Sequence, residues 1–148
     1  MLIYHEQDLL QLSKICGITG SFSSNLAKPL NRALKEVSCS YFLSGIRNSS
    51  DFQLCEHLFL FKSKHPQTRL IFIYNPTEVS FLSPSDQNKL DHLLDQADIV
   101  YHTFFTMQEL PIEIAILCQE LILLNYQQEK DFLNALNLMN YDDPIIKL

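Results

Sequence analysis

Residues 14–25 read KICGITGSFSSN, and this stretch decides the fold. After Lys14, the first part is a short uncharged run with two isoleucines, and it ends at Gly20. Small polar residues follow the glycine. An apolar run of this length is typical of a strand that is buried on both faces, and the polar residues after it are typical of a turn into a helix. The stretch therefore predicts the first strand of a parallel sheet and the turn that leaves it.

The same pattern recurs along the chain. Further apolar runs lie at residues 40–46, 69–75, 98–104 and 120–126. Segments with helical spacing of apolar residues lie at 23–37, 51–63, 85–97, 108–118 and 127–140, and residues 144–148 are suited to an edge strand. This alternation predicts an α/β fold, a Rossmann-like, doubly wound, mainly parallel sheet of five or six strands with helices on both faces. We expect strand 40–46 to lie beside strand 14–20, and Leu121–Leu124 to be buried on an interior strand.

Composition places the sequence among globular proteins. Its 148 residues are 47% hydrophobic and 19% charged, which suits a single domain over residues 1–148 with residues 1–13 as an N-terminal extension. No apolar run reaches the roughly 18 residues of a membrane span. His5, Glu6 and Asp8 stand where a secretion signal would be apolar. We therefore expect a cytoplasmic protein without a membrane partner.

Charge is divided unevenly between the two halves of the chain. Residues 1–74 hold 8 Lys and Arg against 5 Asp and Glu, a balance of +3, whereas residues 75–148 hold 3 against 12, a balance of −9. The two values sum to the net charge of −6. The first half would attract an anionic partner and the second half would repel it. An alternative is that both halves are ordinary solvated surface.

The few glycines point to a candidate site. The chain has 3 glycines, and Gly20 and Gly45 each lie near the end of a predicted strand, just before a helix. Ligands of doubly wound sheets bind at such strand ends, where helix N-termini attract anions. The predicted ligand-binding residues are Gly20, Ser21, Ser23, Ser24, Asn25, Ser44, Gly45, Arg47, Ser49 and Asp51. Helix capping by Ser24, Asn25 and Asp51 is the competing interpretation, because no dinucleotide or P-loop motif is present.

No catalytic or metal site is predicted. The cysteines Cys16, Cys39, Cys55 and Cys118 form no C-x-x-C pair, which favours reduced thiols. His57 is near Cys55 in sequence, but neighbouring residues of a helix do not face one direction. A catalytic role for His102, near the end of the fourth run, has no evident acid–base partner. The sequence thus predicts no cofactor, and it favours a non-enzymatic role while leaving enzyme activity open.

At its two glycine turns, the sequence resembles the DNA-processing protein family DprA (Smf). That family belongs to a Rossmann-like group that includes lysine-decarboxylase-like nucleotide-binding domains. Its first strand ends in Gly-Thr/Ser-Arg, and here the turn is Gly20-Ser21-Phe22. Its second strand ends in Ser-Gly-x-Ala-x-Gly-x-Asp, which is matched here at Ser44, Gly45 and Asp51. Residues 114–124 and 144–148 are also similar to family segments. The YpsA-like branch is the alternative relative, because residues 65–71 resemble its His-Pro entry to the third strand.

The resemblance implies an accessory protein of DNA processing or recombination that binds single-stranded DNA weakly. It also implies a homodimer through the apolar C-terminal third. This sequence differs from the family at positions that contact anions in it. Phe22 stands where the family has an arginine, and residues 110–112 stand where it has an Arg-Asn-Arg segment. Arg47 is then the cation predicted to matter most. The alternatives are a domain that binds a nucleotide or nucleotide derivative, and a decayed non-enzymatic domain that acts through self-association.

Overall fold

A parallel sheet forms the centre of the protein. The computed structural model describes residues 2–4, 12, 14–48, 51–79 and 82–148, with only the backbone of residues 2–4. The described strands are β1 Leu2–Tyr4, β2 Ile15–Gly20, β3 Tyr41–Gly45, β4 Arg69–Tyr74, β5 Ile99–His102, β6 Glu120–Leu124 and β7 Ile145–Lys147. The described helices are α1 Ala27–Glu36, α2 Asp51–Lys64, α3 Pro76–Val79, α4 Pro84–Gln96, α5 Leu110–Leu117 and α6 Lys130–Leu138. Two 3-10 turns lie at Ser24–Leu26 and Tyr126–Gln128.

The strand order is β1-β5-β4-β3-β2-β6-β7, and every pair is parallel. From β2 the chain continues through β3, β4 and β5 on one side, and it then returns to place β6 and β7 on the other side of β2. The predicted α/β fold is confirmed, including the parallel pairing of β2 with β3. The strand order reverses between β2 and β6, and this is where doubly wound sheets bind their ligands.

Helices cover both faces of the sheet. One apolar cluster joins α1, α2 and α4 to the first face, where it includes Phe42 and Phe72. The other cluster joins α5 and α6 to the second face, where it includes Leu43 and Ile71. Alternate residues of one strand therefore enter different clusters, which explains why the strands are continuous apolar runs. The side chains of Leu121–Leu124 on β6 are 0% exposed, as predicted.

One strand lies within the predicted N-terminal extension. Leu2–Tyr4 pairs with Ile99–Tyr101 at the sheet edge, so the sheet has seven described strands and not five or six. A run of three residues is too short to show the periodicity from which strands are predicted. Of residues 5–13 in that extension, only Leu12 is described, and it packs against the second-face cluster.

Two glycines allow α5 to pack closely on the sheet. A Cβ atom at Gly17 would lie 2.7 Å from Ile114 Cγ2, and one at Gly45 would lie 2.9 Å from Leu110 Cδ2. Gly20 has a different constraint, because its φ is +103° and a Cβ atom there would lie 2.1 Å from the carbonyl oxygen of Leu124. Gly45, which was predicted as a ligand-binding residue, thus has a packing role on the second face.

We expect Gly20→Ala to lower the free energy of unfolding by about 3 kcal/mol or more, because the new methyl group meets backbone that cannot yield. Gly45→Ala is the matched control, and its methyl group meets the flexible ends of Leu110 and Ile114. We expect it to lose only about 1 kcal/mol. Urea unfolding of both variants measures the difference, and equal losses would contradict the assigned constraint.

Candidate functional site

A cleft lies where the strand order reverses. The chain leaves β2 through residues 21–26 and leaves β6 through residues 125–129, and both segments start from the carboxyl ends of their strands. They enclose a cavity of about 290 Å³, which we call the switch-point cleft. Its lining residues are Ser23, Asn25, Leu26, Asn125, Tyr126, Gln127 and Leu148. The position of the cleft is the one at which this class of sheet holds small molecules.

Neutral polar groups dominate the cleft. Ser23 donates its hydroxyl hydrogen to Oδ1 of Asn25, which connects two of the lining side chains. Asn125 adopts a left-handed conformation with φ of 53°, and this residue directs the chain from β6 into the 3-10 turn. Asparagine tolerates this conformation better than most residues. Hydroxyl and amide groups both donate and accept hydrogen bonds, so the lining suits an uncharged polar ligand.

Arg47 is engaged within the protein. Its Nε donates to Asp51 Oδ2 at 3.0 Å, and its Nη2 donates to Asp51 Oδ1 at 3.0 Å and to the carbonyl oxygen of Gly20 at 3.2 Å. The backbone N–H of Arg47 also donates to Asp51 Oδ2 at 2.8 Å. Burial by itself would lower the pKa of Arg47, but the hydrogen bond and charge of Asp51 more than offset it and raise the pKa. The arginine therefore connects the end of β2 to the start of α2.

The charges beside the cleft do not favour a phosphate. Burial raises the pKa of Glu129, while the nearby charge of Arg47 acts in the opposite direction. Arg47 is therefore flanked by two carboxylate groups, those of Asp51 and Glu129. None of the residues that line the cleft carries a positively charged side chain. An anionic ligand would meet no unpaired cation from the described lining.

The predicted site residues have different locations. Ser23 and Asn25 line the cleft. Gly20 ends the strand that leads into it, and its carbonyl oxygen accepts a hydrogen bond from Arg47. Ser21 and Ser24 are exposed on the loop after β2. Ser44 is fully buried, and its hydroxyl faces the Cys55 thiol and no ligand-accessible surface. Ser49 lies outside the described residues.

The prediction missed the segment after β6. Asn125, Tyr126 and Gln127 supply one side of the cleft. The sequence does carry a signal for this segment, because the polar run NYQQ at residues 125–128 directly follows four aliphatic residues. The polar turn after β2 follows its apolar strand in the same way. That the turns after β2 and β6 face the same cleft follows only from the pairing of these two strands, which no local sequence pattern indicates.

The other candidate groups lie elsewhere. His102, at the end of β5, forms a 3.1 Å hydrogen bond with the hydroxyl group of Tyr74 at the end of β4. Strands β3 and β2 separate this pair from β6, so His102 does not lie at the switch-point cleft. Burial raises the pKa of the Cys118 thiol to about 11 and also raises those of Cys16 and Cys55, so these thiols stay protonated at neutral pH. The described residues include no group of three His, Cys, Asp or Glu placed to hold a metal ion. None of the helices within the described part of the chain is long and apolar enough to span a membrane.

The fold and the cleft define a Rossmann-like α/β domain with a neutral polar site at its switch point. No protein-family model matches the chain, and no curated protein is significantly similar to it.

We expect a double-mutant cycle of Arg47→Ala and Asp51→Ala to give a coupling free energy of at least about 1.5 kcal/mol. The reason is that the pair is bidentate and that its carboxylate is buried, with Asp51 6% exposed and Arg47 23% exposed, so Arg47→Ala leaves a buried charge unpaired. Lys62 and Asp98 form the control pair, in which both side chains are 26% exposed. We expect that pair to couple by about 0.5 kcal/mol. Urea unfolding measures both cycles, and equal coupling would contradict a structural role for Arg47.

Proposed function

We propose that this chain is a small-ligand binding domain that holds the nucleoside part of a nucleotide derivative in the switch-point cleft. The supporting observation is the cleft itself, about 290 Å³ of space lined by hydroxyl and amide groups where the strand order reverses. Its volume is just below the usual range of roughly 300–1,000 Å³ for small-molecule sites, which suits a nucleoside better than a larger ligand. The proposal assigns binding and no reaction, because the cleft lining includes no acid–base pair.

A nucleoside fits the chemistry of the lining. The ring of Tyr126 and the side chain of Leu26 offer apolar surface to a flat base. Ser23, Asn25, Asn125 and Gln127 can donate to and accept from the ribose hydroxyl groups and the base edge. These neutral groups recognise a ligand by hydrogen bonding, without the need for a charged moiety.

A phosphate group would add little to this binding. Phe22 occupies the position at which the DprA family has an arginine. The ring of Phe22 contacts the ring of His57, and their centroids are 5.2 Å apart. Arg47 donates to Asp51 and Gly20 instead of to a ligand. We therefore infer that the phosphate of a bound nucleotide would extend into solvent.

The proposal is tested by thermal unfolding and isothermal titration with the four nucleosides and their monophosphates. We expect at least one nucleoside to raise the melting temperature, and its monophosphate to bind within about threefold of the same affinity, because phosphate finds no free cation. We expect Gln127→Ala to weaken this binding about fivefold, as the loss of a neutral hydrogen bond does.

Gln128→Ala is the matched control, because Gln128 is in the same 3-10 turn and does not line the cleft. Asn125→Gly is a second variant that removes an amide and keeps a residue suited to the left-handed backbone. The proposal is wrong if no nucleoside stabilises the protein, or if Gln127→Ala and Gln128→Ala bind equally.

Binding of single-stranded DNA, which the DprA resemblance implies, is the second candidate function. The observation that favours it is a row of exposed cations on α1, where Lys28, Arg32 and Lys35 lie at helical spacing and have no partner among the described residues. Several other cations of the first half are engaged, since Lys62 pairs with Asp98 and Arg69 donates to backbone carbonyl groups. The α1 row is therefore the surface through which we propose that DNA phosphates would bind.

We expect Lys28→Gln/Arg32→Gln to weaken DNA binding for all sequences alike and to reduce the salt dependence by about 0.7 for each phosphate that the variant no longer binds. Lys89→Gln/Lys130→Gln is the control with the same change of charge. Fluorescence anisotropy of labelled oligonucleotides at two salt concentrations gives both quantities. Absence of binding at low salt, or an equal effect of the control, would contradict this function.

Self-association remains a proposal as well. Most of the apolar C-terminal third packs on the second face of the sheet, where Leu110, Ile114, Phe132 and Leu136 are buried. Within residues 110–148, the exposed large hydrophobic residues are Ile116, Leu138 and Met139, which are 49%, 86% and 45% exposed. We expect a homodimer through this region to have a small interface that centres on Leu138.

A further inference from the structure

A second cavity lies between α1 and α2 and has a different chemistry from the switch-point cleft. Its volume is about 190 Å³, and its lining residues are Asn31, Lys35, His57, Leu60, Phe61, Lys64 and His65. Among the described residues, no Asp or Glu lines it. Lys35 and Lys64 are in the last turns of their helices, so this groove lies toward the amino edge of the sheet, opposite the cleft.

Lys35 and Lys64 line the same groove, and no described carboxylate lines it with them. Among the described residues, neither forms an ion pair, whereas the net charge of the whole chain is −6. A lysine in the last turn of a helix stabilises that helix through its dipole. This effect explains the position of each of the two lysines separately. That effect does not require two lysines and two histidines to line one cavity, where two cations would repel each other.

Hydrogen bonds hold the other polar groups of the groove in place. His57 Nε2 lies 2.8 Å from Asn31 Oδ1, and burial lowers the pKa of His57, so a neutral ring donates to the amide oxygen. The amide nitrogen of Asn31 is then left to donate, and no described residue accepts from it. His65 donates from Nδ1 to the carbonyl oxygen of Phe61 at 3.0 Å. The His65 ring also stacks on the Phe61 ring, with the centroids 4.1 Å apart.

We propose that the groove between α1 and α2 binds a small phosphoryl anion of the pyrophosphate class. Lys35 and Lys64 supply charge-assisted donors to the phosphoryl oxygens, and the Asn31 amide adds a neutral donor. His65 Nε2 is an acceptor when Nδ1 carries the proton, so it can receive the hydrogen of a protonated phosphoryl oxygen. The cavity has room for about six water molecules, which a two-phosphorus anion would replace.

The site is independent of the proposed nucleoside site. The two cavities share no lining residue, and they lie toward opposite edges of the sheet. Failure of the nucleoside experiment would therefore leave this proposal intact, and failure of this experiment would leave the nucleoside proposal intact.

The test is an NMR titration with sodium pyrophosphate at constant ionic strength, which follows the ring resonances of His65 and the side-chain amide of Asn31. We expect both sets of resonances to shift and to saturate below about 10 mM pyrophosphate. In Lys35→Gln/Lys64→Gln we expect the affinity to fall at least about tenfold. In Lys89→Gln/Lys130→Gln, which makes the same change in net charge, we expect it to stay within about twofold.

A parallel titration with a single-stranded oligonucleotide separates the possible sources of phosphate. The proposal is overturned if pyrophosphate gives no saturable shift, or if the control variant loses as much affinity as Lys35→Gln/Lys64→Gln. It is also overturned if the oligonucleotide binds through Lys35 and Lys64 while pyrophosphate does not bind.

Discussion

The approach of β2 to β6 at Gly20 and Leu124 is the constraint on which the rest of the structure depends. A side chain at residue 20 would meet the Leu124 carbonyl group at 2.1 Å, so these two strand ends can pair only where one residue lacks Cβ. Their pairing aligns residues 16–20 with residues 120–124. The two segments that leave these strand ends then diverge and form the switch-point cleft. Gly20 thus permits the close pairing of the two strand ends from which the cleft-lining segments leave.

Arg47 adds a second constraint at the same edge of the sheet. It donates to the carbonyl oxygen of Gly20 and to both oxygens of Asp51, and so it connects β2 to the first residue of α2. A buried carboxylate requires such a partner. An arginine that is used in this way has little capacity left for a ligand phosphate. The same residues that resemble a phosphate-binding turn in sequence therefore stabilise the fold here, and the cleft beside them is neutral.

The sequence predicts most of the fold because its strands are buried on both faces. Continuous apolar runs predicted five strands to within one or two residues of their observed bounds. Leu2–Tyr4 escaped prediction, since three residues carry too little pattern. The glycine signal was ambiguous, because Gly45 stands at a strand end but serves the packing of α5. No local pattern distinguishes a glycine that approaches a ligand from one that approaches a helix.

The candidate site was harder to predict than the fold. Ser23 and Asn25, which were predicted because they follow a strand, line the cleft. The placement of Asn125 and Gln127 on its other side could be expected only from the pairing of β6 with β2. The pairing of Arg47 with Asp51 likewise depends on the path between β3 and α2. The convergence of Lys35 and Lys64 depends on two helices that are separate in sequence. Contacts between distant segments thus decide which predicted polar residues remain available to a ligand.

Mapping of amide chemical shifts while a nucleoside is added shows whether the neutral cleft at the strand reversal holds the ligand. We expect the largest changes on residues 21–26 and 125–129, with little change at Lys35 and Lys64. Changes that fall instead on α1 and α2, or that are spread evenly over the surface, would contradict it.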